Sequence, residues 1–124
     1  MKYPKSAKDL KRLKKKKALR AQLQGTAEVP RLVVFRSNRH VYAQVVNDLE
    51  HRVILGSADI QKDVAGLLKK DSTKTDASVA LGKTIAEKAK AQGIKKVVFD
   101  RNGFKYHGRI KAVADSVRAE GLEC

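Results

Sequence analysis

The stretch KDLKRLKKKKALR, residues 8 to 20, places eight basic side chains in thirteen positions beside a single acid. Lys and Arg clustered in this way neutralise the phosphates of a polyanion and release its counterions. The whole chain of 124 residues carries a net charge of +15, which draws it to polyanions but says little about its fold. We therefore predict that this stretch binds nucleic-acid phosphates through Lys11, Arg12, Lys14, Lys15, Lys16, Lys17 and Arg20.

Two further stretches mix basic, polar and aromatic residues. In FRSNRHVY, residues 35–42, the candidate binding residues are Arg36, Ser37, Asn38, Arg39, His40 and Tyr42. In DRNGFKYHGR, residues 100–109, they are Arg101, Lys105, Tyr106, His107, Gly108 and Arg109. Arg and Lys reach phosphates, Asn and Ser bond sugar hydroxyls, flat rings stack on unpaired bases, and a helix start offers free N–H groups to a phosphate. For Tyr42 and Tyr106, stacking on a base and packing within the protein both remain open, whereas Phe35 and Phe104 are expected in the core.

Catalytic and metal-binding patterns are weak by comparison. Gly-rich phosphate-loop motifs are absent, the three histidines lie far apart, and Cys124 is the single cysteine. Asp59 and Asp100 follow predicted strands, which leaves a ribonuclease-H-like, metal-dependent nuclease as an alternative. A strand-end Asp more often forms a turn or pairs with a nearby Arg, so we predict no catalytic residue, no metal site and no cofactor. The longest apolar runs, such as LVVF, are far too short for a membrane span.

The elements that position these residues follow from periodicity and turn residues. The run up to residue 23 favours a helix, and residues 24–30 form a hinge. Runs of β-branched and aromatic residues predict three strands, the first two joined by a two-residue turn. These strands are predicted at 31–37, 40–47 and 52–58. A surface loop follows at 61–75, with one helical turn near 65–68. The remaining elements are a helix from Asp76 to Gly93, a strand at 94–100 and a helix around 110–117 that is closed by Gly121.

The predicted architecture is α/β. A basic N-terminal helical arm, residues 1–24, precedes a single β-β-β-α-β-α domain, residues 25–124. Strands of a hairpin pair antiparallel, whereas a strand that follows a long helix joins the sheet as a crossover strand. The sheet should therefore be mixed, with helices packed on one face.

The segments GTAEVPRLVVFRSNRHVYAQVV and KKVVFDRNGFKYHGRIKAVADSVRAEGLE resemble the bacterial-type large-subunit ribosomal proteins of the L-eighteen family. The resemblance covers nearly the whole chain and is weakest over residues 60–76. It implies a protein that binds 5S ribosomal RNA and helps attach it to large-subunit rRNA in the central protuberance, beside neighbouring 5S-binding ribosomal proteins.

The resemblance also implies a structural protein with no enzymatic activity, no cofactor, no small-molecule substrate and no membrane partner. Its expected location is the ribosome in the cytoplasm, with an organellar ribosome left open. Besides the nuclease, a generic basic nucleic-acid-binding protein remains as an alternative.

Overall fold

The computed structural model describes residues 7–20, 24–68 and 72–124. The predicted arm and the predicted 61–75 loop therefore lie partly outside the described residues. Within the described ranges, no helix is long and apolar enough to cross a membrane. The elements follow in the order α1 (Ala7–Arg20), β1 (Arg31–Arg36), β2 (Val41–Asn47), β3 (Arg52–Ala58), α2 (Lys62–Ala65), α3 (Lys74–Ala91), β4 (Val98–Asp100) and α4 (Arg109–Ala119).

The four strands form one mixed sheet in the order β3-β2-β1-β4. The β1–β2 and β2–β3 pairs are antiparallel, and β4 lies parallel to β1 after the α3 crossover, which confirms the predicted α/β class. The connection between β1 and β2 has four residues instead of two. There the Ser37 N–H still donates to the His40 carbonyl (2.8 Å), but the His40 N–H donates to the Ser37 hydroxyl (3.1 Å) instead of the Ser37 carbonyl, so the backbone pair is incomplete.

Strand alternation divides the sheet into two faces. On one face, α3 and α4 pack against alternate residues of β1 and β2, as predicted. The fully buried core on this face consists mainly of Leu32, Val34, Val41, Val45, Leu81, Ile85, Ile110, Val113 and Val117. Phe35 belongs to the opposite face and is 42% exposed. The prediction that Phe35 is a core residue is wrong because alternation from Leu32 and Val34 turns its side chain away from α3 and α4.

Three predicted boundaries also differ from the structure. Thr73, not Asp76, is the N-cap of α3, and Asp76 returns the hydrogen bond as the third residue of a capping box. The helical turn in the 61–75 segment is α2, which begins three residues before the predicted one. β4 begins only at Val98, because the preceding backbone pairs with the C-terminal segment, where the Val97 N–H donates to the carbonyl of Glu123 (2.8 Å).

Candidate nucleic-acid interface

Parallel pairing brings two loops to the same edge of the sheet. Because β1 and β4 run in the same direction, the loop after β1 (residues 37–40) and the loop after β4 (residues 101–108) both leave from carboxyl ends. The side chain of Arg109 connects them, since its Nη1 donates to the carbonyl of Ser37 (3.0 Å). Ser37 and Arg109, which lie 72 residues apart in the sequence, therefore bring the two sequence clusters together in the fold.

α1 lies directly on the second of these loops. The Nη1 of Arg12 donates to the carbonyl of Asn102 (3.0 Å). A Cβ on Gly103 would collide with the backbone oxygen of Arg12 and would lie 3.1 Å from the Lys16 nitrogen. Gly103 also has a φ of +78°, which is a left-handed conformation that suits glycine. This position therefore lets the backbone of α1 approach that of the loop.

A cluster of rings and guanidinium groups surrounds this contact. The guanidinium carbon of Arg12 lies 4.6 Å from the Phe104 ring centroid and 5.9 Å from that of Phe35, while that of Arg36 lies 5.0 Å from Phe104. Phe104 stacks edge-on against Phe35 (5.8 Å) and also packs on the core. Cations held over ring faces in this way are attracted by the ring quadrupole. The cluster therefore helps to hold α1 against the sheet.

Arg31 lies between the segment that follows α1 and the loop on which α1 lies. Its guanidinium donates to Asp48 (3.0 and 3.2 Å) and to Asp100 (2.7 Å). Asp48 accepts from the Gly25 N–H (2.6 Å), and Asp100 accepts from the Asn102 N–H (2.8 Å). Burial acts to lower the pKa of Arg31, but the hydrogen bonds and charges of both carboxylates outweigh it and raise the pKa above its ordinary value. A continuous chain of hydrogen bonds thus runs from the segment that follows α1 to the loop on which α1 lies.

An open groove of about 1050 Å³ lies between α1, the start of α3, the end of β1 and the 101–108 loop; we refer to it as the basic groove. Among the described residues, eight Lys or Arg side chains and one acid, Asp9, line it. Phe104, His107 and Gly108 contribute a ring, an imidazole and the uncapped start of α4. The cations are Lys8, Lys11, Arg12, Lys15, Arg36, Lys74, Lys105 and Arg109.

The pKa of Arg109 is affected by its surroundings in the basic groove. Burial, followed by the charge of Arg36, lowers the pKa of its guanidinium, and Asp59 opposes this in part. Two cationic groups held near each other repel, and a phosphate that bonds both relieves the repulsion. The arrangement is therefore suited to an anion with several acceptor oxygens.

The structure brings together members of all three predicted clusters, but not every predicted residue lies in the basic groove. Tyr106 packs edge-on against Phe99 (6.0 Å) and accepts a hydrogen bond from Arg118 (2.7 Å). Arg101 donates to the carbonyl of Phe104 (2.9 Å). The remaining predicted residues outside the groove are Ser37, Asn38, Arg39 and His40 in the hairpin loop, Tyr42 on β2, and Lys14, Lys16 and Lys17 on α1. The side chain of Arg20 is outside the described part of the chain.

Sequence reasoning missed two of the groove cations, Lys8 and Lys74. Lys8 lies in the same basic run and could have been included on charge alone. Lys74 falls in the predicted surface loop, far along the chain from the three clusters. Its Nζ donates to the carbonyl of Asn38 (2.6 Å), so only the tertiary position of α3 reveals it.

The two strand-end carboxylates are engaged in other interactions. Asp59 lies 3.1 Å from the Nδ1 of His40. Asp100 pairs with an arginine, as expected, but its partner is Arg31 on the neighbouring strand. Across the described ranges, no three His, Cys, Asp or Glu side chains are grouped to hold a metal ion.

Comparison with known proteins gives a consistent result. A family model described as ribosomal L18 of archaea, bacteria, mitochondria and chloroplast matches residues 6–124. The chain is 51% identical over 115 residues to the large ribosomal subunit protein uL18 of Chlorobaculum tepidum, covering 93% of this chain and 94% of the relative. The uL18 proteins of Staphylococcus haemolyticus (48% over 113 residues, 90% and 91% covered) and Kosmotoga olearia (47% over 120 residues, 93% and 95% covered) are similar in the same way.

Proposed function

Because this chain belongs to the ribosomal L18 family, we propose that it binds 5S rRNA and helps attach it to large-subunit rRNA in the central protuberance. The family consists of structural constituents of the large ribosomal subunit. Membership confirms the predictions of a ribosomal role and of no enzymatic activity, so the nuclease alternative is wrong. The bacterial relatives agree with the predicted location in ribosomes of the cytoplasm.

The observation that carries the proposal is the basic groove itself. Three separate basic stretches of the sequence supply its walls, and the fold brings them together through the parallel β1–β4 pair and the contact of α1 with Gly103. Eight cations around about 1050 Å³ fit a phosphate backbone, since charge neutralisation supplies much of the affinity for RNA. The half-buried ring of Phe104 and the exposed imidazole of His107 add groups that can meet sugars and bases.

Within this function, the parts of the chain have different roles. Residues 1–24 act as an RNA-binding arm on the domain formed by residues 25–124. The exposed lysines of α1 supply most of the salt-dependent affinity. The hairpin loop and the 101–108 loop supply recognition of shape, and Gly108 at the start of α4 offers backbone N–H groups to a phosphate. Large-subunit rRNA and neighbouring 5S-binding ribosomal proteins are the further partners.

Charge reversal on either side of the groove tests this proposal. Lys11 and Lys105 are exposed on opposite walls, so Lys11→Glu and Lys105→Glu change the charge without disturbing the core. Lys95 is also exposed but precedes β4, at the opposite end of the strand from the groove, and Lys95→Glu is the matched control. Lys74 is unsuitable as a control because it lines the groove.

We expect each groove variant to weaken 5S rRNA binding by about tenfold or more at physiological salt, which is the scale of a lost charge-assisted hydrogen bond. The control variant should change the affinity by less than about twofold. Filter binding gives the affinities, and a footprint on 5S rRNA shows whether the same nucleotides stay protected. Equal losses for all three variants, or equal competition by duplex DNA, would favour a generic basic nucleic-acid-binding protein.

A further inference from the structure

A second and smaller opening lies on the sheet face that α3 and α4 leave uncovered. It has a volume of about 490 Å³ and is bounded by α1 on one side and by β1 and β2 on the other; we refer to it as the sheet cleft. Its size is within the range of pockets that enclose small organic groups. Its lining includes Lys16, Val33, Phe35, Tyr42, Gln44 and Asn102.

Asn102 lines the sheet cleft and carries a buried acceptor. The residue is only 5% exposed, and its Oδ1 has no hydrogen-bond partner among the described residues. Both backbone groups of Asn102 are fixed, because its N–H donates to Asp100 and its carbonyl accepts from Arg12. A buried acceptor without a donor is costly, so the position of this oxygen indicates a ligand that donates to it.

The walls of the sheet cleft favour a flat, aromatic ligand. The rings of Phe35 and Tyr42 lie 6.1 Å apart at an angle of 41°, and the Phe35 ring is unusually exposed for a large apolar side chain. Lys16 places a cation at the edge of the same opening. A ring platform, a cation and an acceptor for an N–H or O–H group together match an unstacked nucleotide.

The sheet cleft is also close to the basic groove along α1. Arg12 lines the groove and Lys16 lines the cleft, and residues four apart lie on the same side of a helix. An RNA strand that occupies the groove therefore needs only to pass one turn of α1 to reach the cleft. This proximity favours RNA over a protein segment as the occupant.

We propose that the sheet cleft receives one unpaired nucleotide of the RNA that is bound in the basic groove. Its base lies against Phe35 and Tyr42, its phosphate contacts Lys16, and a base amino group or a ribose 2′-hydroxyl donates to the Oδ1 of Asn102. The inference rests on the proposed function and adds to it a site that reads a base, where the groove reads the backbone.

Two substitutions alter the sheet cleft, and of these Asn102→Gly leaves the side chains that line the basic groove unchanged. Asn102→Gly removes the acceptor at a φ of +55°, which glycine adopts without strain, and Phe35→Leu removes the ring but keeps an apolar side chain. We expect Asn102→Gly to weaken 5S rRNA binding about 3- to 10-fold and Phe35→Leu about tenfold. Neither should change the slope of log affinity against log salt, because no phosphate contact is lost. Lys105→Gln, a groove variant, should change that slope.

Photo-crosslinking then locates the nucleotide. A photoreactive residue at Gln44, on the exposed rim of the cleft, should label a single unpaired nucleotide of 5S rRNA, and the same residue at Lys95 should not. Chemical probing of the base edge and acylation of the 2′-hydroxyl distinguish the two possible donors. The group that bonds Asn102 should be protected by the wild-type protein and become reactive with Asn102→Gly.

Each outcome decides the proposal. Normal 5S rRNA binding without labelling from Gln44, with Asn102→Gly indistinguishable from wild type, would overturn the nucleotide site and leave the proposed function intact. If the wild-type protein does not prefer 5S rRNA, the proposed function fails. In that case, the nucleotide site is tested with an unstructured single-stranded RNA. Labelling of this RNA from Gln44 supports the site, and no labelling overturns it.

Discussion

Replacing Arg31 by Met removes the cation at the centre of the hydrogen-bonded network beneath α1. The Arg31 side chain is 11% exposed and that of its partner Asp100 is 1% exposed, so Arg31→Met leaves a nearly buried carboxylate without a counter-charge. The methionine keeps much of the length and apolar stem of the arginine. The change therefore tests the charge and its hydrogen bonds more than the packing.

The expected loss follows from burial. Breaking a buried ion pair by removing one partner costs about 3–5 kcal/mol of unfolding free energy. Asp100→Asn keeps the Arg31–Asp48 pair and loses one charge-assisted hydrogen bond, so about 1–3 kcal/mol is expected. The pKa of Arg31 is raised on folding. The stabilisation that charged Arg31 gives to the folded state is therefore fully present below the pKa of the unfolded chain. It is lost only as the pH rises through the pKa of the folded chain, which is higher still. The loss in Arg31→Met should therefore be the same throughout the neutral range.

Urea unfolding of the full chain measures these values, and Arg52→Met is the matched control. Arg52 is two-thirds exposed and lies 3.7 Å from Glu50, so its replacement should cost less than about 0.5 kcal/mol. Amide hydrogen exchange adds a local readout. Protection should fall at the N–H groups of Gly25 and Asn102, which donate to the two carboxylates that Arg31 holds.

A loss for Arg31→Met below about 1 kcal/mol, or one equal to that of Arg52→Met, would refute this reasoning. Such a result would mean that the network stabilises the folded state no more than an exposed ion pair does. Unchanged exchange at Gly25 and Asn102 would show that Arg31 does not hold the two ends together.

Three further predictions follow from α1 and the C-terminal residue. Gly103→Ala should displace α1, because its Cβ collides with the Arg12 backbone, and 5S rRNA binding should weaken because α1 forms one wall of the basic groove; wild-type binding would contradict the close contact. Replacing the exposed Lys14, Lys15 and Lys17 by Gln should flatten the plot of log affinity against log salt by about 0.7–0.9 per lost phosphate contact, and an unchanged slope would show that α1 does not reach phosphate. Burial raises the pKa of the Cys124 thiol, and the charge and hydrogen bond of Arg118 offset this only in part. At about pH 8.5, alkylation of Cys124 should therefore be slower in the folded chain than in the urea-unfolded chain. Equal rates would contradict the raised pKa.

The strands could be predicted because local pattern determines them. The apolar run in RLVVFR predicts β1 but does not show which of its residues face the core, and the β-α-β order predicts a crossover strand but not that its parallel partner is β1. β3 has the predicted bounds of 52–58, since turn residues precede the strand formers of RVIL and Asp59 follows the strand. The stripe around Ile110 and Val113 likewise predicted α4.

Features that depend on distant contacts could not be predicted in the same way. Which residue caps α3 depends on whether Thr73 or Asp76 takes the extended conformation, and the sequence allows both. The exposure of Phe35 depends on how α1 covers the second face of the sheet. The place of Lys74 in the groove depends on the whole crossover. Charge and motif therefore indicated what the site binds, whereas its shape required the tertiary structure.

Competition at physiological ionic strength tests the central claim most directly. Labelled 5S rRNA bound to the full chain is challenged with unlabelled 5S rRNA, with an unrelated RNA of the same length, and with duplex DNA. We predict that only unlabelled 5S rRNA displaces the label efficiently, because recognition of a specific folded RNA survives salt that weakens plain charge attraction. Equal displacement by all three competitors would contradict specific binding of 5S rRNA by the basic groove.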